Sequence, residues 1–200
     1  MPDTEIVLAS ASRSRAALLE GVGLDVLIRP ANIDETAIKE KCRRDDLDIA
    51  ATAARLAWRK SGKISNLIPD AFVIGADQML DCGGKWLDKP VDLAEAAESL
   101  RLLRGQTHEL VTSVSIARAG QECWRLTDRA TLVMRDFSDE FLDGYLNRIG
   151  DVALSSVGAY QLEGLGAQLF ECIAGDYFTI LGLPLLPVLA YLREEGALSA

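Results

Sequence analysis

Runs of apolar residues separated by turn-forming residues predict several strands. The runs at residues 5–9 and 25–30, and the run "AFVIGAD" that ends at Asp77, are typical of buried strands. "QMLDCGGKWLDKP" predicts a hairpin that turns at its two glycines. "HELVTSVSIARAGQECWRLTDRATLVMRD" alternates apolar and polar residues on both sides of a turn at residues 119–120, and "AQLFECIAG" predicts a further strand.

Other segments have apolar residues at helical spacing. Residues 13–20 predict a helix, and "DDLDIAATAARLAWRKSG" predicts another that is capped by Asp45 or Asp46 and ends at Gly62. "VDLAEAAESLRLLRG", "SDEFLDGYLNRIG" and "LPLLPVLAYLREEG" predict three more. Strands and helices are therefore mixed along the chain. We expect one domain over residues 1–200 with an α/β fold, in which helices flank a mixed, twisted sheet.

Composition narrows the function classes. The chain is 49% hydrophobic and 26% charged, which is ordinary for a soluble protein, and its formal net charge is −9. This charge argues against a nucleic-acid-binding surface, so any anion site must be a local basic cluster. No signal peptide and no apolar stretch long enough to span a membrane is evident, and the four cysteines include no CxxC pair. We therefore expect a cytoplasmic protein with free thiols.

The segment "LASASRSRAALL" places hydroxyl and guanidinium groups where a strand leads into a helix. The candidates are Ser10, Ser12, Arg13, Ser14 and Arg15. Backbone N–H groups at a helix N-terminus bind phosphate readily, and charged side chains strengthen such a site. The alternative is that Ser12 is only an N-cap and that the arginines are solvated.

Further candidate catalytic and binding residues lie at or after predicted strands and near the end of the second predicted helix. Asp77 at the end of a buried strand could hold Mg²⁺ or activate water, although it could equally be a turn or cap residue. Lys60, Lys63 and Lys89 are candidate phosphate ligands, each weak by itself. "NIDET" predicts a loop that carries Glu35 near the same edge of the sheet.

His108 and Trp86 are weaker candidates. His108 is the single histidine, and no GxSxG sequence or nucleophilic cysteine motif accompanies it, so we expect a residue of a turn or strand edge rather than a catalyst. Trp86 is adjacent to "LDKP" and could stack on a base, although a core position is the default for tryptophan.

These segments together resemble the Maf family of nucleoside triphosphate pyrophosphatases. The matching pieces, in order, are "LASASRSRAALL", "NIDET", "RLAWRK", "VIGADQ", "LDKP", "RGQTHELVTSVSI", "GAYQLEGLGAQLFECIAGDY" and "ILGLPL". The resemblance implies hydrolysis of a nucleoside triphosphate to the monophosphate and pyrophosphate with a divalent metal ion, Mg²⁺ or Mn²⁺. It also implies two lobes with a central cleft, similar to the inosine triphosphatase fold.

The resemblance also implies roles for individual residues. Asp77 matches the catalytic aspartate, Lys60 and Lys89 match two lysines, and Arg15 matches the second arginine of a pair. Further matches are Glu35, Ser10 and Ser12. A metal ion would be held by Glu35 and Asp77.

Two departures from the family pattern affect the expected substrate contacts. Ser14 replaces the first arginine of the pair, and Arg13 occupies the position of a proline. Glu163 occupies the position where members acting on thymidine and uridine triphosphates have glutamine. With Gln78 after Asp77, the chain looks more similar to the branch that acts on 7-methyl-GTP.

The resulting hypothesis is a pyrophosphatase acting on 7-methyl-GTP or another non-canonical nucleotide. The substrate contacts would come from Ser10, Ser12, Arg13, Gln78 and Glu163. The alternatives are a dTTP or UTP pyrophosphatase and a nucleotide-binding regulator of septum formation. We expect a nucleotide as the partner, neither nucleic acid nor membrane, and leave a homodimer open.

Overall fold

The computed structural model describes residues 5–199. In chain order the elements are β1 (Ile6–Leu8), α1 (Arg13–Gly21), β2 (Val26–Ile28), α2 (Glu35–Arg44), α3 (Ile49–Ser65), β3 (Phe72–Cys82), β4 (Lys85–Leu87), α4 (Leu93–Leu103), β5 (Thr107–Arg118), β6 (Gln121–Met134), α5 (Asp139–Ile149), β7 (Phe170–Ala174), α6 (Tyr177–Ile180) and α7 (Leu185–Glu194). Three 3₁₀ segments, at Gly150–Ser155, Val157–Ala159 and Leu165–Leu169, lie between α5 and β7. None of the helices described is both long and apolar enough to cross a bilayer.

The strands described form one mixed sheet. Their order is β2-β1-β3-β5-β6-β7, and β4 pairs with β3. The pairs β1–β2 and β1–β3 are parallel, whereas β3–β4 and β6–β7 are antiparallel. The predicted α/β class with helices around a mixed sheet is thereby confirmed.

The chain divides into two compact units. Residues 1–77, 112–128 and 182–200 form the first unit, of which residues 1–4 and 200 lie outside the described part. Residues 78–111 and 129–181 form the second unit. The central cleft implied by the family resemblance stays a prediction.

The first unit has a small apolar core beside its parallel strands. That core contains Val7, Ala9, Ala31, Ile64, Ala71 and Val73. The helix α3 packs closely on β3 at Gly75, where an added Cβ would lie 2.3 Å from the Ala57 carbonyl oxygen. Only glycine allows this approach, and the approach brings the polar side chains of α3 and β3 together.

The second unit has a larger core around the end of β3 and the helices α4 and α5. Its fully buried side chains include Leu80, Leu100, Leu103, Leu132 and Leu142. Such extensive apolar burial gives this unit its own hydrophobic stabilisation.

The predicted hairpin after Asp77 is present, with a turn at Gly83 and Gly84 between β3 and β4.

Several helix caps follow the prediction. Asp92 caps α4 by accepting a hydrogen bond from the Glu95 N–H at 2.8 Å. Ser138 caps α5 through the Phe141 N–H at 3.1 Å. Short polar side chains at these positions satisfy backbone N–H groups that have no partner within the helix, which is why the sequence locates these helix starts well.

Two predicted helix starts were wrong. The expected loop at "NIDET" starts a helix, because Asp34 caps α2 through the Ala37 N–H at 2.9 Å and Glu35 is its first residue. Asp48, rather than Asp45 or Asp46, caps α3. Asp46 instead adopts a φ of 55° in the turn that separates α2 from α3.

The helix α3 and the strand β3 extend further along the chain than predicted. The helix α3 continues through Gly62 to Ser65, and Gly62 leaves room for the Trp58 ring, which would lie 3.0 Å from an added Cβ. The strand β3 continues past Asp77 to Cys82, so Asp77 lies within the strand rather than at its end. Pairing with β4 at residues 80–82 extends this strand.

Candidate active site

A buried ion pair joins the middle of β3 to α3 in the first unit. Lys60 donates from Nζ to Asp77 Oδ1 over 2.7 Å, and the two residues are 8% and 5% exposed. Gly75 makes this contact possible, since it lets the α3 backbone approach the strand two residues before Asp77. Removing Lys60 would leave the Asp77 carboxylate buried without its ion-pair partner.

Glu35 extends the ion pair to three charged groups. Lys60 Nζ also lies 2.7 Å from Glu35 Oε1, and the Glu35 side chain is 44% exposed. At the other end of the cluster, Asp77 Oδ2 is buried and has no hydrogen-bond partner within the described residues. A buried carboxylate oxygen without a partner is costly, and a substrate, water or cation at that atom would remove the cost.

In the segment after β1, the predicted phosphate site, side chains form hydrogen bonds with neighbouring groups of the same segment. Ser12 is the N-cap of α1 and accepts from the Arg15 N–H at 3.4 Å, which confirms the capping part of the alternative. The other part, that the arginines are solvated, is wrong for Arg15, which is buried. Ser10 Oγ accepts from the Ser12 N–H at 3.2 Å. Arg13 is exposed on the first turn of α1, and Ser14 lies beside it half-buried.

Arg15 is a buried cation that holds backbone segments in place. Its Nε donates to the Gly182 carbonyl at 2.7 Å, and its Nη1 donates to the Ala76 carbonyl at 3.0 Å and to Ser10 Oγ at 3.1 Å. Burial lowers the pKa of Arg15, and the negative charges of Asp77 and Glu35 act in the opposite direction. The bond to Ala76 fixes the backbone one residue before Asp77.

The net charge and the carboxylate oxygens of this cluster suit a hard cation such as Mg²⁺. Arg15 and Lys60 balance Glu35 and Asp77, so the four groups have no net charge. No group of three or more metal-ligating side chains is found among residues 5–199. Mg²⁺ commonly uses only one or two carboxylates and completes its shell with water and substrate phosphates. The unpartnered Asp77 Oδ2 and the partly exposed Glu35 therefore fit a divalent ion.

The remaining predicted site residues belong to the second unit. Gln78 Nε2 donates to the carbonyls of Thr179 and Ile180 in α6, at 3.0 and 3.1 Å. These bonds give the Gln78 amide a structural role within that unit. Lys89 is exposed after β4, and Glu163 is exposed between two 3₁₀ segments. The predicted substrate roles of Lys89 and Glu163 stay predictions.

Hydrogen bonds hold the segment that leads to Glu163. The Tyr145 hydroxyl donates to the Ala159 carbonyl at 3.3 Å, and Ser156 Oγ donates to the Tyr160 carbonyl at 2.6 Å. Ala159 has a φ of 60°, a left-handed conformation that surrounding contacts must stabilise. The Glu163 carboxylate thus extends from a well-anchored part of the second unit.

His108 is part of that anchoring. It lies in β5, and its Nε2 is 2.7 Å from the Tyr160 hydroxyl. Burial lowers the pKa of His108 to about 4 and raises the pKa of Tyr160, so both groups are neutral at physiological pH.

Two further candidates from the sequence lie elsewhere. Lys63, a candidate phosphate ligand, donates to the Asn32 carbonyl at 3.0 Å. Trp86 is half-buried in β4.

Comparison with known proteins identifies the family. The model of the Maf family, described as "Maf-like protein", matches residues 5–195. The chain belongs to the Maf family. The "Nucleoside triphosphate pyrophosphatase" of Paramagnetospirillum magneticum, another Maf relative, is 48% identical over 192 residues, which cover 96% of this chain and 99% of the relative.

A second relative has a more specific name. The "7-methyl-GTP pyrophosphatase" of Rhizobium meliloti is 46% identical over 195 residues, which cover 98% of this chain and 98% of the relative. Among solved structures, a HAM1 protein from Coxiella burnetii matches with a TM-score of 0.38 and 14% identity, covering 67% of this chain and 74% of its own.

Two glycines of the site were missed by sequence reasoning. Gly75 allows the contact between α3 and β3, and Gly182 accepts the Arg15 hydrogen bond at a φ of 95°. Both lie in segments that carry the family resemblance, "VIGADQ" and "ILGLPL". A glycine inside a buried strand signals close backbone approach, so Gly75 could have been found from that signal.

Proposed function

We propose that the chain hydrolyses nucleoside triphosphates to nucleoside monophosphates and pyrophosphate, using Mg²⁺ or Mn²⁺, with 7-methyl-GTP as a preferred substrate. The single observation that supports this chemistry best is the buried Asp77 carboxylate. One of its oxygens is held by Lys60, whereas the other has no partner within the described residues. Relatives at 48% and 46% identity that are named as pyrophosphatases support the reaction class.

Asp77 would orient and deprotonate the attacking water. Its Oδ2 is the acceptor available for a water proton, because Lys60 already donates to Oδ1. The water oxygen bonds to the α-phosphorus as the bond from that phosphorus to the bridging oxygen breaks, and the electron pair leaves with pyrophosphate. A positioned general base of this kind contributes roughly 10²- to 10⁴-fold to a rate.

Glu35 and Asp77 would hold the divalent ion. When bound, the ion supplies positive charge that stabilises the phosphate oxygens. The charged side chains of the cluster already balance one another, so a multiply charged triphosphate needs this additional positive charge. Lys60 holds both carboxylates in place, and Arg15 fixes the backbone at Ala76 and Gly182.

Glu163 would favour guanine-type bases. An ionised carboxylate accepts hydrogen bonds but donates none. The Watson–Crick edge of guanine offers two adjacent donors, N1–H and the N2 amino group, whereas uracil and thymine place one donor between two carbonyl acceptors. The positive charge that N7-methylation adds to guanine is further favoured by a carboxylate. This reasoning supports 7-methyl-GTP over UTP and dTTP.

The decisive experiment measures pyrophosphate release from 7-methyl-GTP, GTP, UTP, dTTP and CTP, with Mg²⁺, Mn²⁺ or EDTA. We expect release only with a metal ion and the highest kcat/KM for 7-methyl-GTP. Release that continues unchanged in EDTA would refute metal dependence. Nucleotide binding without any release would favour the alternative of a nucleotide-binding regulator.

A further inference from the structure

A cavity of about 580 Å³ lies in the first unit, apart from the residues of the charged cluster. It is bordered by α2 and the turn after it, by α3 and by β6. None of Ser10, Arg15, Glu35, Lys60 or Asp77 lines it. Its volume falls in the range of small-molecule sites, which is about 300–1,000 Å³.

The cavity is basic, although the chain as a whole is acidic. The lining includes four cations, Lys41, Arg55, Arg59 and Arg125, and one acidic residue, Asp45. In the whole sequence, by contrast, Asp and Glu number 30 and Lys and Arg number 21. Such a local reversal of charge attracts anions and raises their concentration at the site.

Two of the cations are fixed by neighbouring carboxylates. Arg55 Nη1 lies 3.5 Å from Asp45 Oδ2, and Arg125 Nε donates to Glu122 Oε1 at 2.9 Å. These pairs orient the guanidinium groups, and an oriented guanidinium loses less entropy when it binds a phosphate. Four cations against two carboxylates leave the surroundings of the cavity positive.

The other two cations are uncommitted. Within residues 5–199, the side chains of Lys41 and Arg59 form neither a hydrogen bond nor an ion pair. They come from different helices, α2 and α3, and both are exposed at the same cavity. A phosphate group could therefore accept charge-assisted hydrogen bonds from both helices.

Trp58 gives the cavity an aromatic wall. Its indole ring packs beside Gly62 of the same helix, where an added Cβ would lie 3.0 Å from ring carbons Cζ3 and Cη2. Trp58 is half-buried and lines the cavity together with Arg55 and Arg59. An inorganic anion would use neither this wall nor most of the volume, whereas a ligand with a planar ring would use both.

We propose that this cavity is a second ligand site, which binds a small phosphate monoester carrying a planar ring, such as a nucleoside monophosphate. The phosphate contacts Lys41 and Arg59, with Arg55 and Arg125 adding positive charge, and the ring packs on Trp58. This site is independent of the hydrolysis proposed at Asp77.

The test is calorimetric titration of the full chain with adenosine monophosphate, ribose 5-phosphate and inorganic pyrophosphate as separate probes. The number of sites per chain and the dissociation constant are measured for wild type and for Lys41→Glu combined with Arg59→Glu. The matched control is Arg44→Glu combined with Arg148→Glu, which changes net charge equally. Arg44 and Arg148 are exposed, and neither lines the cavity.

We expect the cavity variant to lose one adenosine monophosphate site, or to bind there at least about tenfold more weakly, while the control changes less than about threefold. Pyrophosphate release should stay within about twofold of wild type in both proteins, since neither pair touches the charged cluster. Ribose 5-phosphate and pyrophosphate should bind this site at least about tenfold more weakly than adenosine monophosphate, because they lack the ring.

Three results would overturn the proposal. The first is that wild type binds no adenosine monophosphate, or binds it only at a site where it competes with the hydrolysed nucleotide. The second is an equal loss in the cavity variant and the control, which would indicate only a general field effect. The third is equal affinity for the three probes, which would remove the role of Trp58. Unchanged thermal melting of both variants serves as the folding control.

Discussion

The two units of the chain bury different kinds of polar group. In the first unit, three charged side chains are buried, Arg15, Lys60 and Asp77. In the described part of the second unit, the buried titratable groups are neutral at physiological pH: His108 has a pKa lowered to about 4, and the pKa of Tyr160 is raised by burial. The first unit thus buries whole charged side chains, whereas in the second unit the charged residues that have a buried atom without a partner, Asp81 and Arg135, are only half-buried.

This difference agrees with the proposal that hydrolysis takes place at the buried charges of the first unit. A buried charge is retained only when it is paired or has a function. One of the two Asp77 carboxylate oxygens has no hydrogen-bond partner within the described residues. In the second unit the buried His108 and Tyr160 bond each other at 2.7 Å, and His108 Nδ1 has no partner within the described residues. Substitutions in the first unit should therefore affect catalysis most, and those in the second should affect stability and selectivity.

The largest effect is expected for Asp77→Asn. The amide keeps the shape of the side chain but removes the negative charge, so pyrophosphate release should fall roughly 10²- to 10⁴-fold. The melting temperature should change by only a few degrees. Asp70→Asn is the matched control, because Asp70 is exposed in the same unit. Near wild-type turnover of the Asp77 variant would show that chemistry is located elsewhere.

Arg15→Ala should lower both activity and stability. The substitution leaves the carbonyls of Ala76 and Gly182 without their buried donor, at a cost of about 3 kcal/mol in the free energy of unfolding. Arg13→Ala, two residues away and exposed, should change it by less than about 0.5 kcal/mol. Urea unfolding of both variants measures this. If Arg15→Ala lost activity with unchanged stability, Arg15 would be a phosphate ligand instead of a structural cation.

His108 should make the stability of the protein depend on pH. Because its pKa falls from 6.5 to about 4 on folding, its neutral form supports the fold fully above pH 6.5. This contribution decreases as the pH falls toward 4, by up to about 3 kcal/mol. The decline in unfolding free energy between pH 6.5 and 4 should be smaller in His108→Gln. Carboxylates titrate in both proteins, so the difference between the curves isolates His108. Parallel curves would contradict the burial effect.

The smallest effect is expected for Glu163→Gln, which changes selectivity rather than rate. The ratio of kcat/KM for 7-methyl-GTP to that for UTP should fall by about tenfold, because glutamine can donate as well as accept. Glu171→Gln, an exposed glutamate of the same unit, is the control and should leave the ratio unchanged. A wild-type preference for UTP or dTTP would refute the role of Glu163 in reading guanine.

Local signals in the sequence determined several parts of the structure. Caps such as Asp92 and Ser138, the glycine turn after β3 and the long hairpin of β5 and β6 depend on neighbouring residues, so their patterns were sufficient. The candidate residues Asp77, Lys60 and Glu35 were also visible, because their spacing follows the family pattern. The start of α2 was missed, although Asp34 is an ordinary N-cap, because "NIDET" was taken for a loop.

Only the tertiary structure decided which of these residues meet. Lys60 and Asp77 are 17 positions apart, and Arg15 and Gly182 are 167 apart, so their contacts depend on how α3 packs on β3 and where residue 182 lies. Periodicity reports which face of an element is apolar, but it does not specify the partner of a buried charge. That choice depends on close approach at Gly75 and on the energetic cost of an unpaired buried ion, both of which arise only when distant segments pack together.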